Sequence, residues 1–163
     1  MQKRSALSGT SVFFAVAPGT VCGLVPWLLT GWHSGQDYGI AARTAGWILV
    51  AAGAAVLLLA FARFVTEGLG TPAPVAPTEH LVVGGLYRYV RNPMYVAVVA
   101  TIAGQGLLLG RPVLFAWAAV VTAAVSAFVI SYEQPTLARR YGAEYEAYRR
   151  DVPAWLPRPG RHR

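Results

Sequence analysis

Long apolar runs alternate with short polar stretches along this chain, and that pattern predicts helices that cross a membrane. A transmembrane helix needs about 20 mostly apolar residues. Four segments approach or exceed that length, and each is uncharged across its middle: residues 10–32, 44–65, 93–109 and 112–132. We therefore predict an all-α integral membrane protein with about four transmembrane helices, forming a single membrane domain over residues 1–163.

The connections between these segments differ in their content of positive residues. Twelve of the fourteen Lys and Arg residues lie at the N-terminus, around the connector 67–92 and in the C-terminal cap 133–163, and the other two are Arg43 and Arg111. Because cytoplasmic connections carry an excess of Lys and Arg, both termini are expected in the cytoplasm. A signal peptide would also begin with basic residues, but this apolar run is too long for one and Pro18 interrupts it.

Composition narrows the class of protein and of partner. Hydrophobic residues make up 55% of the chain, charged residues only 13%, and the mean hydropathy is +0.45. Soluble domains carry about 25% charged residues, so a water-soluble globule and a disordered chain are both excluded. A net charge of +7 on so apolar a chain favours anionic lipid headgroups as partners rather than nucleic acid. The single cysteine, Cys22, excludes an internal disulfide, and we expect no metal site.

Three features within the apolar segments predict packing. The third and fourth segments are joined only by residues 110–112, which requires a tight antiparallel pair. Small residues recur at four-residue spacing on the fourth segment, at Ala119, Ala123 and Ala127. Such spacing lets membrane helices approach closely. Gln105 is the most polar side chain deep in a segment, and a structural hydrogen bond is slightly favoured for it over ligand contact.

The connector 67–92 holds the first of two polar stretches. Its first part contains three prolines and two glycines, which exclude a regular helix. The residues that follow, up to Tyr95, are dense in Tyr and Arg. Gly84 and Gly85 predict a turn that permits close backbone approach. Asn92 and Pro93 suit the start of a helix, while the arginines and tyrosines suit a membrane interface, so a purely structural interpretation stays open.

The C-terminal cap holds the second polar stretch. Its apolar and aromatic residues follow one another at spacings of four, four, three and four: Leu137, Tyr141, Tyr145, Tyr148 and Val152. This is one face of an amphipathic helix lying on the bilayer or on the bundle. Glu133 precedes it at the boundary of the fourth segment, where a carboxylate is costly unless it is hydrated or paired. A salt bridge to Arg139 or Arg140 and a ligand-binding role in a cytoplasm-facing pocket are equally supported.

These two stretches together resemble a known pattern. Residues 84–95, Gly-Gly-Leu-Tyr-Arg-Tyr-Val-Arg-Asn-Pro-Met-Tyr, resemble the G-x-Y-R-x-x-R-H-P-x-Y motif of the isoprenylcysteine carboxyl methyltransferases and their phospholipid methyltransferase relatives. Residues 133–153 resemble that family's E-E-x-x-L…F-G-x-x-Y-x-x-Y…V-P ending. The order of the two blocks, their separation by two segments and their predicted cytoplasmic side all agree with the family.

The resemblance implies a membrane-embedded methyltransferase that uses S-adenosylmethionine and methylates a lipophilic acceptor entering from the bilayer. The cofactor would sit at the cytoplasmic ends of the last two segments, beneath the C-terminal cap. The cofactor-binding residues implied by the motifs are Gly84, Gly85, Leu86, Tyr87, Arg91, Asn92, Pro93, Tyr95, Glu133 and Tyr145. Those implied to be catalytic are Arg91, Asn92 and Glu133. The expected location is the plasma membrane, with the active site on the cytoplasmic side.

Two departures from the family motifs limit the chemistry. Asn92 replaces the usual His, and an amide can form hydrogen bonds but cannot act as a base. Gln134 replaces the second Glu, so Glu133 is the only carboxylate of that motif. Methyl transfer depends mostly on aligning two substrates, which needs little acid–base help. Glu133 could hold the ammonium or ribose hydroxyls of the cofactor, and Arg91 could pair with a carboxylate of the cofactor or the acceptor.

Other functions fit parts of the pattern. Membrane sterol reductases have a similar C-terminal region, but they bind NADPH and have more spans. A small four-span transporter would need an acidic residue inside the membrane, and none lies in the middle of a segment here. A non-catalytic scaffold is the other alternative. The acceptor stays open between an isoprenoid thioether carboxylate, an aminophospholipid headgroup and a small lipophilic metabolite, and the oligomeric state is not predicted.

Overall fold

The computed structural model describes residues 16–63 and 80–157, and within these ranges all regular structure is helical. The helices are α1 (Val16–Thr30), α2 (Gly39–Arg63), α3 (Pro93–Leu109), α4 (Pro112–Tyr141) and α5 (Ala143–Asp151), with a short 3₁₀ turn at Gly85–Arg88. The start of the first predicted segment, the end of the second, the Pro-rich part of the connector and the end of the cap lie outside the described residues.

The helical, apolar character predicted from the sequence is confirmed. Helices α2 and α4 are long and apolar enough to cross a membrane, while α1 and α3 are shorter apolar helices. Helix α3 has the bounds predicted for the third segment. The number of membrane crossings and the orientation of the termini stay predictions.

The contacts at the two ends of the bundle show that α1 to α4 alternate in direction. At one end, the backbone N–H of Gly35 donates to the carbonyl of Leu109 at 2.7 Å, so the loop after α1 meets the end of α3. At the other end, Tyr95 near the start of α3 donates to Glu133 near the end of α4. We call the second end the Glu133 end. The tight turn predicted at residues 110–112 is confirmed, with Gly110 in the left-handed conformation at φ +60°.

Helices α2 and α3 pack closely because two glycines face each other. A Cβ built on Gly46 would lie 2.8 Å from the carbonyl oxygen of Gly104, and one on Gly104 would lie 2.8 Å from the carbonyl oxygen of Gly46. The core beside this contact is built from small and medium apolar side chains: Leu57, Ala97, Val98, Ile102, Leu114, Ala118 and Val121.

The predicted packing role of the alanine stripe on α4 is wrong within this chain. Ala119, Ala123 and Ala127 are exposed, and the helix turns its Leu114 and Ala118 face to the core instead. A stripe of small residues shows that a close approach is possible, but it does not show which face meets a partner.

The C-terminal half of α4 differs from the predicted end of the fourth segment at residue 132. The helix continues through a π-turn at Val129–Glu133 to Tyr141, so the polar boundary does not end it. Gly142, at φ +52° and ψ −125°, then separates α4 from α5. The predicted single amphipathic helix is therefore two helices, because a glycine can adopt a positive φ that other residues avoid.

Helix α1 contains a second π-turn, at Thr20–Leu24, just before Pro26. Proline has no N–H, so the turn before it leaves carbonyl groups without helical donors. Side chains of other helices take their place: Trp117 Nε1 donates to the carbonyl of Val21 at 3.0 Å, and Gln105 Nε2 donates to that of Cys22 at 2.7 Å. The structural hydrogen bond favoured for Gln105 is thus present. Its Oε1 is buried without a partner among the described residues.

Candidate functional site

The 84–92 loop crosses the Glu133 end of the bundle and begins at the paired glycines. Gly84 is extended, Gly85 has a φ of +56°, and the N–H of Tyr87 donates to the carbonyl of Gly84 at 3.1 Å. A Cβ on Gly85 would lie 2.8 Å from Nε of Arg63, at the end of α2. The close approach predicted for these glycines is therefore made by the Arg63 side chain.

Tyr87 joins this loop to helix α5. Its side chain is buried, and its backbone carbonyl accepts a hydrogen bond of 2.7 Å from the hydroxyl of Tyr148. Burial raises the pKa of Tyr87 well above its ordinary value and also raises the pKa of Tyr148. Both hydroxyls therefore stay protonated near neutral pH, which makes them hydrogen-bond donors rather than bases.

Arg91 faces the C-terminal segment. Its Nε donates to the carbonyl of Val152 at 3.0 Å, its Nη1 donates to the hydroxyl of Tyr145 at 3.3 Å, and its backbone N–H donates to the carbonyl of Pro153 at 2.9 Å. Burial raises the pKa of Tyr145, and the nearby Arg91 partly offsets that rise. Arg91 thus fastens the end of the cap to the start of α3.

Asn92 occupies the N-cap position of α3, as its structural interpretation predicted, but its side chain does not cap the helix. Instead Nδ2 donates to the carbonyl of Ala154 at 3.1 Å, and the backbone N–H donates to the same oxygen at 3.2 Å. We call residues 152–154 the strap, since their three consecutive carbonyls accept hydrogen bonds from Arg91 and Asn92. The amide at the usual His position therefore serves as a donor.

Glu133 ends the π-turn of α4 and faces α3. Its Oε2 accepts a hydrogen bond of 2.9 Å from the hydroxyl of Tyr95, in the first turn of α3. The alternative salt bridge is not formed in the structure: Arg139 donates to Oγ1 of Thr136 at 3.3 Å, and Arg140 lies over the ring of Tyr141. The Glu133 carboxyl group is thus held in place by a neutral donor, and neither arginine pairs with it.

The site residues predicted from the motifs gather at this one end of the bundle. Eight of them are consecutive or nearly so, forming the loop and the first turn of α3: Gly84, Gly85, Leu86, Tyr87, Arg91, Asn92, Pro93 and Tyr95. Hydrogen bonds connect them to the other two, since Tyr95 donates to Glu133 and Arg91 donates to Tyr145. Residues of the two motif blocks are therefore in direct contact.

The structure adds participants that were not among the predicted site residues. Tyr148 belongs to the second motif block and to the apolar face of the cap; its hydroxyl donates to the loop, and its ring lies 6.5 Å from that of Tyr145. The three-residue spacing of these tyrosines is the signal that could have paired them. Val152 and Pro153 of the strap are the V-P of the second motif block, but that motif does not show that their backbone carbonyls are used. The Arg63 contact with Gly85 carries no sequence signal.

Comparisons with known proteins bear on the same residues. The family described as phospholipid methyltransferase matches residues 41–144. A curated relative, protein-S-isoprenylcysteine O-methyltransferase of Schizosaccharomyces pombe, is 35% identical over 80 residues, which are 48% of this chain and 34% of that protein. The chain thus matches about a third of the length of that relative.

No solved structure matches the chain. The family match covers well over half of the chain, including almost all of α2 and the whole of α3, α4 and the 84–92 loop. It confirms the resemblance drawn from the two motif blocks, and the chain belongs to the phospholipid methyltransferase family.

Proposed function

We propose that this protein transfers a methyl group from S-adenosylmethionine to a lipophilic acceptor at the cytoplasmic face of the membrane. The observation that carries the proposal is the hydrogen bond between α3 and α4, in which the Tyr95 hydroxyl donates to the carboxylate of Glu133 at 2.9 Å. Both residues lie within the range matched by the methyltransferase family. The named relative is itself a methyltransferase, which favours this function over a transporter or a scaffold.

The residues present fit the cofactor. A carboxylate offers about four acceptor positions, and the Tyr95 hydroxyl occupies one of them. Glu133 therefore has capacity for the ammonium group or the ribose hydroxyls of S-adenosylmethionine, which are hydrogen-bond donors. The fixed Tyr95 hydroxyl orients the carboxylate before the cofactor arrives. When bound, S-adenosylmethionine supplies a methyl group on a positively charged sulfur.

The remaining motif residues would shape the pocket. Tyr87 and Tyr145, both buried, supply aromatic surface, and their raised pKa values keep them neutral beside a cationic cofactor. Arg91 and Asn92 direct their donors at the strap, so we assign them to positioning the cap rather than to contact with the reacting atoms. This changes the roles that the motif resemblance implied for them.

This arrangement suits a reaction that depends on alignment. Holding two reactants in line can supply much of the catalysis of a displacement, and no proton transfer by the protein is then required. A carboxylate acceptor is already nucleophilic near neutral pH, whereas an ammonium acceptor must first lose a proton. The proposal therefore covers prenylated carboxylates and lipid-like molecules as acceptors.

A lipophilic acceptor would reach the site through the bilayer. Apolar side chains near the Glu133 end are exposed on the outer faces of α2 and α4, including Leu58, Leu59, Phe128 and Ile130. In a membrane these faces would contact lipid tails, so an acceptor dissolved in the bilayer could approach the site laterally without crossing water.

Isothermal titration of the full chain in detergent with S-adenosylmethionine and, separately, S-adenosylhomocysteine tests the proposal. We expect saturable binding of both, and loss of binding in Glu133→Gln, which keeps the shape of the side chain but removes its charge. The matched control is Glu146→Gln, since Glu146 is a half-exposed glutamate of α5 that pairs with Arg149. Folded wild-type protein that binds neither compound would refute the proposal.

A further inference from the structure

The π-turn in α4 changes which residue faces the site. A regular α-helix repeats its direction every 18 residues, which are five complete turns. Leu114 is fully buried in the core against α3, so a regular helix would turn Tyr132 to that same face. Tyr132 is instead 45% exposed, and Glu133 faces α3. The extra residue of the π-turn has rotated the end of the helix by about 100°.

Pro135 explains why the turn forms where it does. Its ring would collide with the carbonyl of Ser131, four residues earlier, in a regular helix, and it has no N–H to donate. In the structure the N–H of Gln134 donates to the carbonyl of Val129, five residues back, which widens the turn ahead of the proline. The widening is thus a local response to the proline ring.

The same arrangement occurs a second time in this chain. In α1 the π-turn Thr20–Leu24 ends two residues before Pro26, just as Val129–Glu133 ends two residues before Pro135. The N–H of Val25 likewise donates five residues back, to the carbonyl of Thr20. None of the site residues lies in α1, so the recurrence indicates that the proline sets the turn and that the site does not.

We propose that Pro135 is a positioning residue, which maintains the π-turn and thereby directs the carboxylate of Glu133 at Tyr95 and the cofactor. Its consequence for cofactor binding rests on the proposed function, whereas its effect on the direction of the helix does not. Without the proline, the turn relaxes to a regular helix, Tyr132 replaces Glu133 on the inner face, and the carboxylate points away from α3.

A compensating deletion separates this role from a general loss of stability. Pro135→Ala lets the helix become regular, and removal of Ile130, an outward-facing residue of the turn that is 65% exposed, then shortens it by one residue. Five complete turns after Leu114, the inner face would again carry Glu133. The double change should therefore restore what the single change loses, although each change alone disturbs the helix.

Two measurements follow the direction of the helix. The first is titration with S-adenosylmethionine. The second is the rate at which a water-soluble maleimide labels Tyr132→Cys in a Cys22→Ala background, and this rate requires no cofactor. Pro26→Ala is the matched control, because it relaxes the corresponding turn in α1, which contacts α4 at Trp117, more than four helical turns before Glu133.

We expect Pro135→Ala to weaken S-adenosylmethionine binding about tenfold or more, since a charged hydrogen-bonding group is withdrawn, and to slow labelling at position 132. The double variant should regain both the affinity and the labelling rate, and Pro26→Ala should change neither. Unchanged labelling in Pro135→Ala, or failure of the deletion to restore it, would overturn the inference. A wild-type protein that binds no cofactor would refute the proposed function alone, because the labelling rates would still report the direction of α4.

Discussion

A single hydroxyl group fixes the residue on which the proposed chemistry depends. A carboxylate at a membrane boundary is costly unless it is hydrated or paired, and the Tyr95 hydroxyl at 2.9 Å is the partner that the structure gives Glu133. The motif resemblance placed both residues in one pocket, but it did not predict that they bond to each other.

Tyr95→Phe tests that bond, because it removes the hydroxyl and keeps the ring. We expect binding of S-adenosylmethionine to weaken about tenfold, since a hydrogen bond to a charged group is lost. The measurement is titration calorimetry on the purified protein. Tyr132→Phe is the control, as Tyr132 is exposed and its ring stacks on Phe128 without using the hydroxyl. Equal affinities of Tyr95→Phe and the wild type would show that Tyr95 does not orient the carboxylate.

Asn92 is the residue at which the family pattern and this chain differ most. In the structure its Nδ2 acts as a donor to the strap, a task that a protonated imidazole nitrogen could also perform. The substitution thus keeps hydrogen-bond donation while giving up titration near neutral pH.

Asn92→Asp should release the strap, because a carboxylate would face the carbonyl of Ala154 and repel it. The backbone N–H groups of Arg91 and Asn92 donate to the strap, so their hydrogen exchange reports its release directly. We expect faster exchange of both amides in Asn92→Asp and near-normal exchange in Asn92→His, which keeps a donor. Identical exchange in the two variants would show that the side chain does not hold the strap.

Some contacts within the site could not be predicted from sequence patterns. Motif spacing was sufficient to gather Glu133, Tyr145 and the 84–92 loop. It was not sufficient to show that Arg91 bonds to the strap, because the strap contributes backbone carbonyls, which every residue carries. Contacts made through the backbone leave little trace in the identity of the residue that supplies them.

At the scale of elements, the apolar pattern predicted the helices well and their ends less well. The change from apolar to polar at Glu133 predicts the end of the fourth segment, but such a change marks a membrane boundary and does not stop a helix. Helix α4 continues to Tyr141, and the break at Gly142 lies inside an unbroken 3.6-residue pattern. A backbone φ of +52° at Gly142 is invisible to that pattern.

The packing of α2 on α3 was also missed, since isolated glycines in apolar segments have no fixed meaning. Gly46 and Gly104 bring the two backbones together, and neither position has room for a methyl group. We expect Gly46→Ala to lower the free energy of unfolding by about 2 kcal/mol, because overpacking forces the helices apart. Thermal unfolding in detergent measures the loss.

Gly19→Ala is the matched control for this contact, since a Cβ there would meet no atom within 4 Å. It should leave stability unchanged or raise it slightly, because alanine favours a helix more than glycine does. A Gly46→Ala protein as stable as Gly19→Ala would show that the two helices can separate without cost.

At the scale of the whole molecule, the alternating directions of α1 to α4 assemble the site. The two motif blocks are separated by the α3–α4 hairpin, whose tight turn returns the chain to the end at which it started. One end of the bundle consequently holds Arg63, the 84–92 loop and Glu133. Along the chain, α3 and most of α4 lie between the loop and Glu133. The segment count and the positive charges of the connections predicted that both polar stretches lie on one side of the membrane, and the family resemblance implied that they share one pocket.

The orientation of that bundle is a prediction from charge alone, and it decides whether the site faces the cytoplasm. Among the described residues, seven arginines lie around the Glu133 end, at positions 63, 88, 91, 139, 140, 149 and 150, whereas the opposite end carries Arg43 and Arg111. Retention of positive residues in the cytoplasm therefore places Glu133 inside and the loop between α1 and α2 outside.

In a Cys22→Ala background, Tyr38→Cys marks that loop and Glu144→Cys marks α5, both at exposed positions. A membrane-impermeant maleimide added to intact cells should label position 38 at once and position 144 only after permeabilisation. The reverse result would place the Glu133 end outside, away from a cytoplasmic supply of S-adenosylmethionine, and would contradict the proposed location of methyl transfer.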